Sequence, residues 1–232
     1  MKTIRFGNSR FSLVMPTATP SPHDRQAAWR QPTNPFATRC VRPAALRFRF
    51  RFDRTGVDLE SLAEKLRSQS AVGSVIVGPH GSGKSTLVAH LSGKLQDDFS
   101  SVQTKTLRIG DPTRGFIRWA IRQPAGSLLI VDGLEQLDSF RRRALLFVCR
   151  LRRIRCLATA HAPLPGFCEL HRTAATIDLA KQLASELLSQ DKLRIAEAHD
   201  FIDQIWDDLD GNLRELWFAM YDWYQAETLA SR

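Results

Sequence analysis

The stretch SVIVGPHGSGKSTLVAH, residues 74–90, runs from β-branched and apolar residues into glycines, a lysine and two hydroxyl residues. This order predicts a short buried strand, a glycine-rich turn and then an amphipathic helix. Residues 78–85 fit the pattern G-x-x-x-x-G-K followed by Ser or Thr. In that context the pattern is typical of a loop that binds the phosphates of a nucleotide.

Each defined position of such a loop has a physical role. The backbone must curl so that successive N–H groups face phosphate oxygens, and glycine permits this curl. Lys84 is expected to reach the β- and γ-phosphates, Ser85 to bind Mg²⁺, and the helix N-terminus to add positive partial charge. The predicted nucleotide-binding residues are Gly78, Pro79, His80, Gly81, Ser82, Gly83, Lys84, Ser85 and Thr86.

The segment SLLIVDGLEQL, residues 127–137, supplies two acids for chemistry at a bound triphosphate. Asp132 ends a continuous apolar strand, where its carboxylate can hold a Mg²⁺-bound water, and we predict Asp132 as a metal ligand with Ser85. Glu135 lies three residues later and can accept the proton of an attacking water. The alternatives are a turn-forming aspartate before Gly133 and a solvated glutamate at the start of a helix.

Strand-like and helix-like segments alternate over the middle of the chain. Predicted strands cover residues 71–78, 102–109, 127–133 and 154–160, with AATIDL at 174–179 as a fifth and RPAALRFRFRF at 42–52 as a strand-like segment. Predicted helices cover residues 58–66, 85–95, 113–122 and 138–153. This alternation predicts a three-layer α/β fold with a mostly parallel five-stranded sheet.

Both ends of the chain differ from this middle part. Residues 1–41 are rich in proline and are predicted to be a disordered leader that docks from Asn34 onward. Residues 1–55 carry eleven Lys and Arg residues and two acids, which accounts for the whole net charge of +9. Residues 42–180 are predicted to form the core, and residues 181–232 a small all-helical C-terminal unit.

The order of these parts resembles the AAA+ and STAND branch of the P-loop ATPases. GNLREL, residues 211–216, resembles the sensor 2 segment of AAA+ lid domains, which implies that Arg214 contacts the γ-phosphate. The resemblance also implies a sensor at the end of the fourth strand, for which Thr159 and His161 are the candidates, Thr159 first. The helical tail then corresponds to the lid.

The sequence departs from the AAA+ pattern at one position. In AAA+ proteins an acid usually follows the Walker B aspartate, to which Asp132 corresponds in this resemblance, but here the next residue is Gly133. The form D-G-L-E is closer to STAND-type switch ATPases, which implies slow hydrolysis. The sequence has no N-K-x-D segment, which GTPases use to bind guanine. We therefore expect ATP rather than GTP as the nucleotide.

Seven arginines fall within residues 141–155, which contain no acid. Three interpretations stay open: a finger that enters the site of a second copy, through Arg150, Arg152 or Arg153; a surface for nucleic acid or an acidic partner; and long side chains that cover an exposed helix face.

The remaining composition narrows the class of protein. Four scattered cysteines without a C-x-x-C pair favour reduced thiols in the cytoplasm rather than a disulfide framework or a zinc site. No run of 18 apolar residues occurs, so no membrane span is expected.

The sequence therefore predicts an ATP hydrolase with Lys84, Asp132, Glu135, Thr159 and Arg214 as catalytic residues and ATP and Mg²⁺ as ligands. Its nucleotide state is expected to move the lid and regulate an unidentified protein partner. The alternatives are a nucleotide-binding scaffold without turnover, a nucleic-acid-binding protein regulated by ATP through its basic leader and, weakest, a phosphotransferase.

Overall fold

The computed structural model describes residues 34–43, 45–46, 48, 57–189 and 192–230. Its centre is a five-stranded parallel sheet in the order β2-β3-β4-β1-β5. The strands are β1 (Gly73–Val77), β2 (Val102–Thr106), β3 (Leu128–Asp132), β4 (Arg155–Ala160) and β5 (Cys168–Arg172). The predicted α/β class and five-stranded sheet are confirmed, and every strand pair in the described residues is parallel.

Helices cover both faces of this sheet because the three inner strands are apolar on both sides. On one face, Leu128 and Ile130 pack with α2 (Leu59–Ser68) and α3 (Lys84–Lys94). On the other face, Leu129 and Val131 pack with α4 (Phe116–Ile121) and α5 (Ser139–Arg152). The result is the predicted three-layer arrangement.

Side-chain caps fix where several helices begin. Asp58 accepts a hydrogen bond of 2.7 Å from the backbone N–H of Ser61, whose hydroxyl lies 2.9 Å from the N–H of Asp58. Asp138 caps α5 in the same way through the N–H of Arg141. These backbone donors hold the pKa of both aspartates below its ordinary value, because they stabilise the charged carboxylate.

The predicted fifth strand at 174–179 is wrong. Thr176 accepts a hydrogen bond from the N–H of Leu179 and caps helix α6 (Ile177–Leu188), so the segment starts a helix. The fifth strand is instead CELHR at Cys168–Arg172, which pairs with β1 and with no other strand among the described residues. As an edge strand it buries only Leu170, and its sequence therefore lacks the apolar run that marks inner strands.

Every element described after β5 is helical, in agreement with the helices predicted from residue 181 onward. Helix α6, α7 (Lys192–Ile205) and α8 (Leu213–Ala230) share a separate apolar cluster that includes Leu213, Trp217 and Met220. Phe36 is buried in the same cluster and stacks on Trp217 at a centroid distance of 6.1 Å. Residues before the core thus pack against the C-terminal helices.

The N-terminal part of the described chain consists of a short helix α1 (Thr38–Val41) and irregular backbone. Asn34 donates a hydrogen bond of 2.9 Å to the carbonyl oxygen of Tyr221. Residues 42, 43, 45, 46 and 48 are not in a strand, while the rest of the strand-like segment at 42–52 and the leader at 1–33 lie outside the described residues. The leader and the boundary proposed at residue 41 stay predictions.

All four cysteines are free thiols. Within the part of the chain that the structure describes, no helix combines the length and the hydrophobicity that crossing a membrane requires.

Candidate nucleotide-binding site

The carboxyl ends of four parallel strands meet at one edge of the sheet. Gly78 follows β1, Asp132 ends β3, His161 follows β4 and Thr173 follows β5. In open α/β sheets this edge is where ligands bind, because the loops that leave adjacent strands diverge there. The predicted phosphate loop, residues 78–85, lies at this edge.

The loop has the backbone geometry that a phosphate cradle needs. Gly81 and Gly83 have positive φ angles of 69° and 89°, which favour glycine. Within the described residues, the backbone N–H groups of residues 83–86 have no acceptor, and α3 begins without a side-chain cap. Because α3 also directs its positive end here, these donors are available to an anion.

Lys84 lies inside the curl of the loop. Its Nζ donates hydrogen bonds to the carbonyl oxygens of Gly78 at 2.8 Å and Pro79 at 2.7 Å, and the residue is 9% exposed. Burial lowers the pKa of Lys84 below its ordinary value, although the charges of Glu135 and Asp132 act in the opposite direction. Lys84 therefore places a cation amid the free backbone donors.

Ser85 and Asp132 form a pair suited to Mg²⁺. Ser85 Oγ donates a hydrogen bond of 2.8 Å to Asp132 Oδ2. Two oxygens bound to Mg²⁺ at about 2.1 Å in neighbouring octahedral positions lie about 3 Å apart, so this donor set fits the ion. The remaining positions suit phosphate oxygens and water. No group of three or more His, Cys, Asp and Glu suited to a metal occurs among the described residues.

Thr159 supports Asp132. Its buried hydroxyl donates a hydrogen bond of 2.5 Å to Asp132 Oδ1 and accepts one of 2.9 Å from the N–H of Gly133. The single proton of the Thr159 hydroxyl is therefore donated to Asp132. The geometry thus fits a residue that orients the carboxylate, and the contact of Thr159 with the γ-phosphate that the AAA+ resemblance implies stays a prediction.

Gly133 stands at the position where AAA+ proteins usually carry an acid. Its φ angle is 87°, and a Cβ atom there would overlap the carbonyl oxygen of Leu107. An acidic side chain is therefore excluded by sterics at this position. The following 3₁₀ turn, Leu134–Gln136, carries the acid two residues further, at Glu135.

Glu135 is held by His161. Its Oε1 lies 2.9 Å from His161 Nε2, whereas its Oε2 is buried without a hydrogen-bond partner among the described residues. His161 Nδ1 lies 3.3 Å from the carbonyl oxygen of Gly78, and its ring lies against that of His80 at a centroid distance of 3.8 Å. Of the two sensor candidates, His161 is therefore the one that contacts the predicted base.

Arg214 lies near the loop at the start of α8. Its charge lowers the pKa of both Lys84 and His80, as a secondary contribution beside burial, which places it within electrostatic range of the loop. Asn212 Oδ1 caps α8 by accepting a hydrogen bond of 3.1 Å from the N–H of Arg214. A Cβ atom on Gly81 would overlap that same oxygen, so the N-terminus of α8 touches the phosphate loop.

Two further residues at the site were not predicted from the sequence. Thr173 Oγ1 lies 2.7 Å from Ser82 Oγ, and a Cβ atom on Gly78 would overlap Thr173 Oγ1. Thr173 and Asn212 thus brace the loop from β5 and α8. No local signal marks Thr173, which only the fold brings to the loop. Asn212 lies within the GNLREL segment, where its role as a helix cap could have been predicted but its contact with the loop could not.

The three arginines predicted as a finger for the site of a second copy lie far from the phosphate loop of their own chain. Arg150, Arg152 and Arg153 lie at the C-terminal end of α5, which precedes the amino end of β4. They are therefore at the opposite edge of the sheet from the phosphate loop and do not contribute to the site of their own chain. Their role in self-association stays a prediction.

Neither known protein families nor curated protein sequences match this chain. Solved structures of Thermotoga maritima RuvB do. One, a variant with a single arginine replaced by alanine, gives a TM-score of 0.43 at 16% identity and covers 66% of this chain and 62% of the RuvB chain. A second, described as a Holliday junction branch migration motor, gives 0.41 at 15% identity and covers 67% and 65%.

The fold is similar to that of RuvB. The predicted resemblance is to AAA+ proteins, and RuvB is an AAA+ P-loop ATPase; the structural similarity extends over about two thirds of this chain, and the STAND branch is not specifically supported. The chain spans less than two thirds of the length of these RuvB chains. At this level of identity the similarity concerns the fold alone.

Proposed function

We propose that this protein is a Mg²⁺-dependent ATPase whose nucleotide state moves its C-terminal helices and regulates a protein partner. The observation that carries the proposal is the Ser85–Asp132 hydrogen bond of 2.8 Å beside the buried Lys84. The loop suited to phosphate, the pair suited to a metal and a carboxylate with one buried oxygen lie together at one edge of the sheet. ATP hydrolysis needs these three elements.

Binding is assigned to the loop and the first turn of α3. The free N–H groups of residues 83–86 and the ammonium group of Lys84 neutralise the phosphate oxygens. Ser85 and Asp132 would hold Mg²⁺, which would supply positive charge to the phosphate groups in the reaction. Thr159 keeps the Asp132 carboxylate oriented.

Hydrolysis is assigned to Glu135. In this step a water oxygen forms a bond to the γ-phosphorus, the bond from that phosphorus to the bridging oxygen breaks, and ADP and inorganic phosphate are released. Glu135 accepts the proton of the water, and the buried free oxygen Oε2 suits this role. His161 positions the carboxylate by holding Oε1.

Movement of the C-terminal helices follows from the position of Arg214. A γ-phosphate attracts Arg214, and α8 extends from this residue into the cluster that also holds α6 and α7. ATP and ADP then differ in how strongly they hold α8, which is the differential contact that a conformational switch requires. Trp206, Trp217 and Trp223 lie in or beside this cluster and report on it by fluorescence.

Phosphate release measured with Mg²⁺ and ATP tests the proposal. We expect turnover by the wild type, loss of turnover in Lys84→Ala and Asp132→Ala, and loss with retained binding in Glu135→Gln. The matched control is Lys94→Ala on the same helix, because Lys94 is half-exposed and its ion pair is with Glu60, outside the site. A wild type that releases phosphate no faster than Lys84→Ala contradicts turnover.

The switch has a separate readout. A non-hydrolysable ATP analogue should change the tryptophan fluorescence of the wild type, and Arg214→Ala should bind the analogue without that change. An unchanged signal in the wild type contradicts the movement but leaves hydrolysis intact. A pull-down with the analogue, compared with ADP, then tests for the protein partner.

A further inference from the structure

Helix α5 presents an exposed row of apolar and cationic side chains. Phe140 is 81% exposed, Phe147 68% and Leu151 72%. Arg143 and Arg150 lie between them and are also exposed. Arg143, Phe147, Arg150 and Leu151 follow Phe140 by three, seven, ten and eleven residues, so all five side chains share one face of the helix. This set, Phe140, Arg143, Phe147, Arg150 and Leu151, is named the α5 stripe.

The charge beside the α5 stripe is uncompensated. Residues 139–168 contain seven arginines and no acid. Several of the arginines are engaged: Arg141 with Asp138, Arg152 with the carbonyl oxygen of Gln123, and Arg155 with that of Leu66. Among the described residues, the side chains of Arg143, Arg150 and Arg153 have no hydrogen-bond or ion-pair partner.

A pocket adjoins the C-terminal end of the α5 stripe. It is lined by Arg150, Arg153 and Arg155 together with residues 70–72. Cys149 and Ile154 complete the lining, and Arg155 is already bonded to Leu66. The exposed Arg150 and Arg153, at the edge of the sheet opposite the nucleotide site, remain available to a phosphate group.

We propose that the α5 stripe binds single-stranded nucleic acid. Phosphates pair with Arg143 and Arg150 of the stripe and with Arg153 beside it. Bases stack on the rings of Phe140 and Phe147. Surfaces that bind single strands combine cations along the backbone path with aromatic side chains on which bases stack. This activity is independent of the proposed ATPase, because no residue of the α5 stripe belongs to the nucleotide site.

The side chains favour a nucleic acid over an acidic protein. A protein that covers the rings also removes the neighbouring guanidinium groups from water, which costs free energy unless each finds a buried acid. A single strand satisfies each arginine with a phosphate that remains partly hydrated. All seven Lys and Arg positions in residues 139–168 are arginine, whose planar fork binds phosphate in two places and stacks on bases.

Fluorescence anisotropy with labelled oligo(dT), on the full chain without nucleotide, tests the proposal. Phe140→Ala with Phe147→Ala should raise the Kd by about thirtyfold or more, because the stacking of two bases is lost. Arg143→Gln with Arg150→Gln should lower the slope of log affinity against log salt by about 1.4, at about 0.7 per phosphate contact. Arg114→Gln with Arg118→Gln, exposed arginines outside residues 139–168, is the control and should bind as the wild type.

Three results would overturn the proposal. The first is no binding of oligo(dT) by the wild type. The second is binding by both double variants with the affinity and salt dependence of the wild type, which assigns the affinity to the basic residues 1–55. The third is competition by polyglutamate as effective as by unlabelled oligo(dT), with no effect of the phenylalanine changes, which assigns the surface to an acidic protein. The arginine variant is expected to bind a labelled duplex more weakly than the wild type does, whereas the phenylalanine variant is expected to bind it as the wild type does.

Thermal unfolding of each variant verifies that it is folded.

Discussion

Ser85 Oγ lies 2.8 Å from Asp132 Oδ2, so the first turn of α3 is joined by one hydrogen bond to the carboxyl end of β3. Strands β1 and β3 are not neighbours, because β4 lies between them. The pair therefore spans the edge of the sheet on which the loop is built, at the separation of two magnesium ligands.

Ser85→Ala should weaken nucleotide binding only when Mg²⁺ is present. Loss of one ligand to a charged centre costs on the order of 1.5–3 kcal/mol, which is about tenfold to a hundredfold in affinity. Titration of ATP in Mg²⁺ and in a chelator separates the two conditions. An equal loss in both would assign Ser85 to the loop rather than to the metal.

Gly133→Ala and Gly93→Ala should have opposite effects on stability. Alanine at 133 must adopt a φ near 87° and overlaps the carbonyl oxygen of Leu107, so unfolding should become easier by about 1–3 kcal/mol. A Cβ at 93, within α3, meets nothing within 4 Å, and alanine there should stabilise the helix by about 0.5–1 kcal/mol. Urea unfolding measures both, and a stable Gly133→Ala would contradict the turn geometry.

His161→Ala should lower kcat with little change in KM. The imidazole holds Glu135 Oε1 at 2.9 Å, and a misplaced base affects only the transition state. We expect a loss of about tenfold or more, and a smaller loss in His161→Gln, whose amide still donates a hydrogen bond. A raised KM at constant kcat would instead mean that His161 contacts the bound nucleotide.

His80 should make the folded protein less stable as pH falls through the region below 6.5. His80 is exposed, so the loss of hydration on the side of its ring that faces the loop is partial. This desolvation first, then the charges of His161, Lys84 and Arg214, lower the pKa of His80 from 6.5, while Glu135 opposes them. In the window between the lowered pKa and 6.5 the unfolded chain binds more protons, so the free energy of unfolding rises with pH. His80→Asn removes this titration, and its unfolding free energy should vary less across the window. An unchanged pH dependence would contradict the shift.

The sheet could be predicted from the sequence wherever strands are buried on both faces. Residues 128–131 form an uninterrupted apolar run because β3 has helices on both sides and strands on both edges. The edge strand β5 has one neighbour and exposes both of its ends, so CELHR has no such run. The apolar segment AATIDL was a false signal, since Thr176 caps a helix there.

The site could be predicted only as far as local motifs reach. Lys84, Ser85 and Asp132 stand in patterns whose spacing reflects the chemistry of phosphate and Mg²⁺. The pairing of His161 with Glu135, the brace from Thr173 and the contact of Asn212 with Gly81 depend on strand order and helix packing. Residues so far apart in sequence come together only through the fold.

Calorimetric titration of Mg²⁺–ATP into the full chain tests the central claim, that the loop at residues 78–85 cradles a triphosphate. We predict binding by the wild type and by Lys94→Ala, and a loss of binding in Lys84→Ala, whose ammonium group lies inside the loop. No heat of binding in the wild type, or binding by Lys84→Ala equal to that of Lys94→Ala, would contradict it.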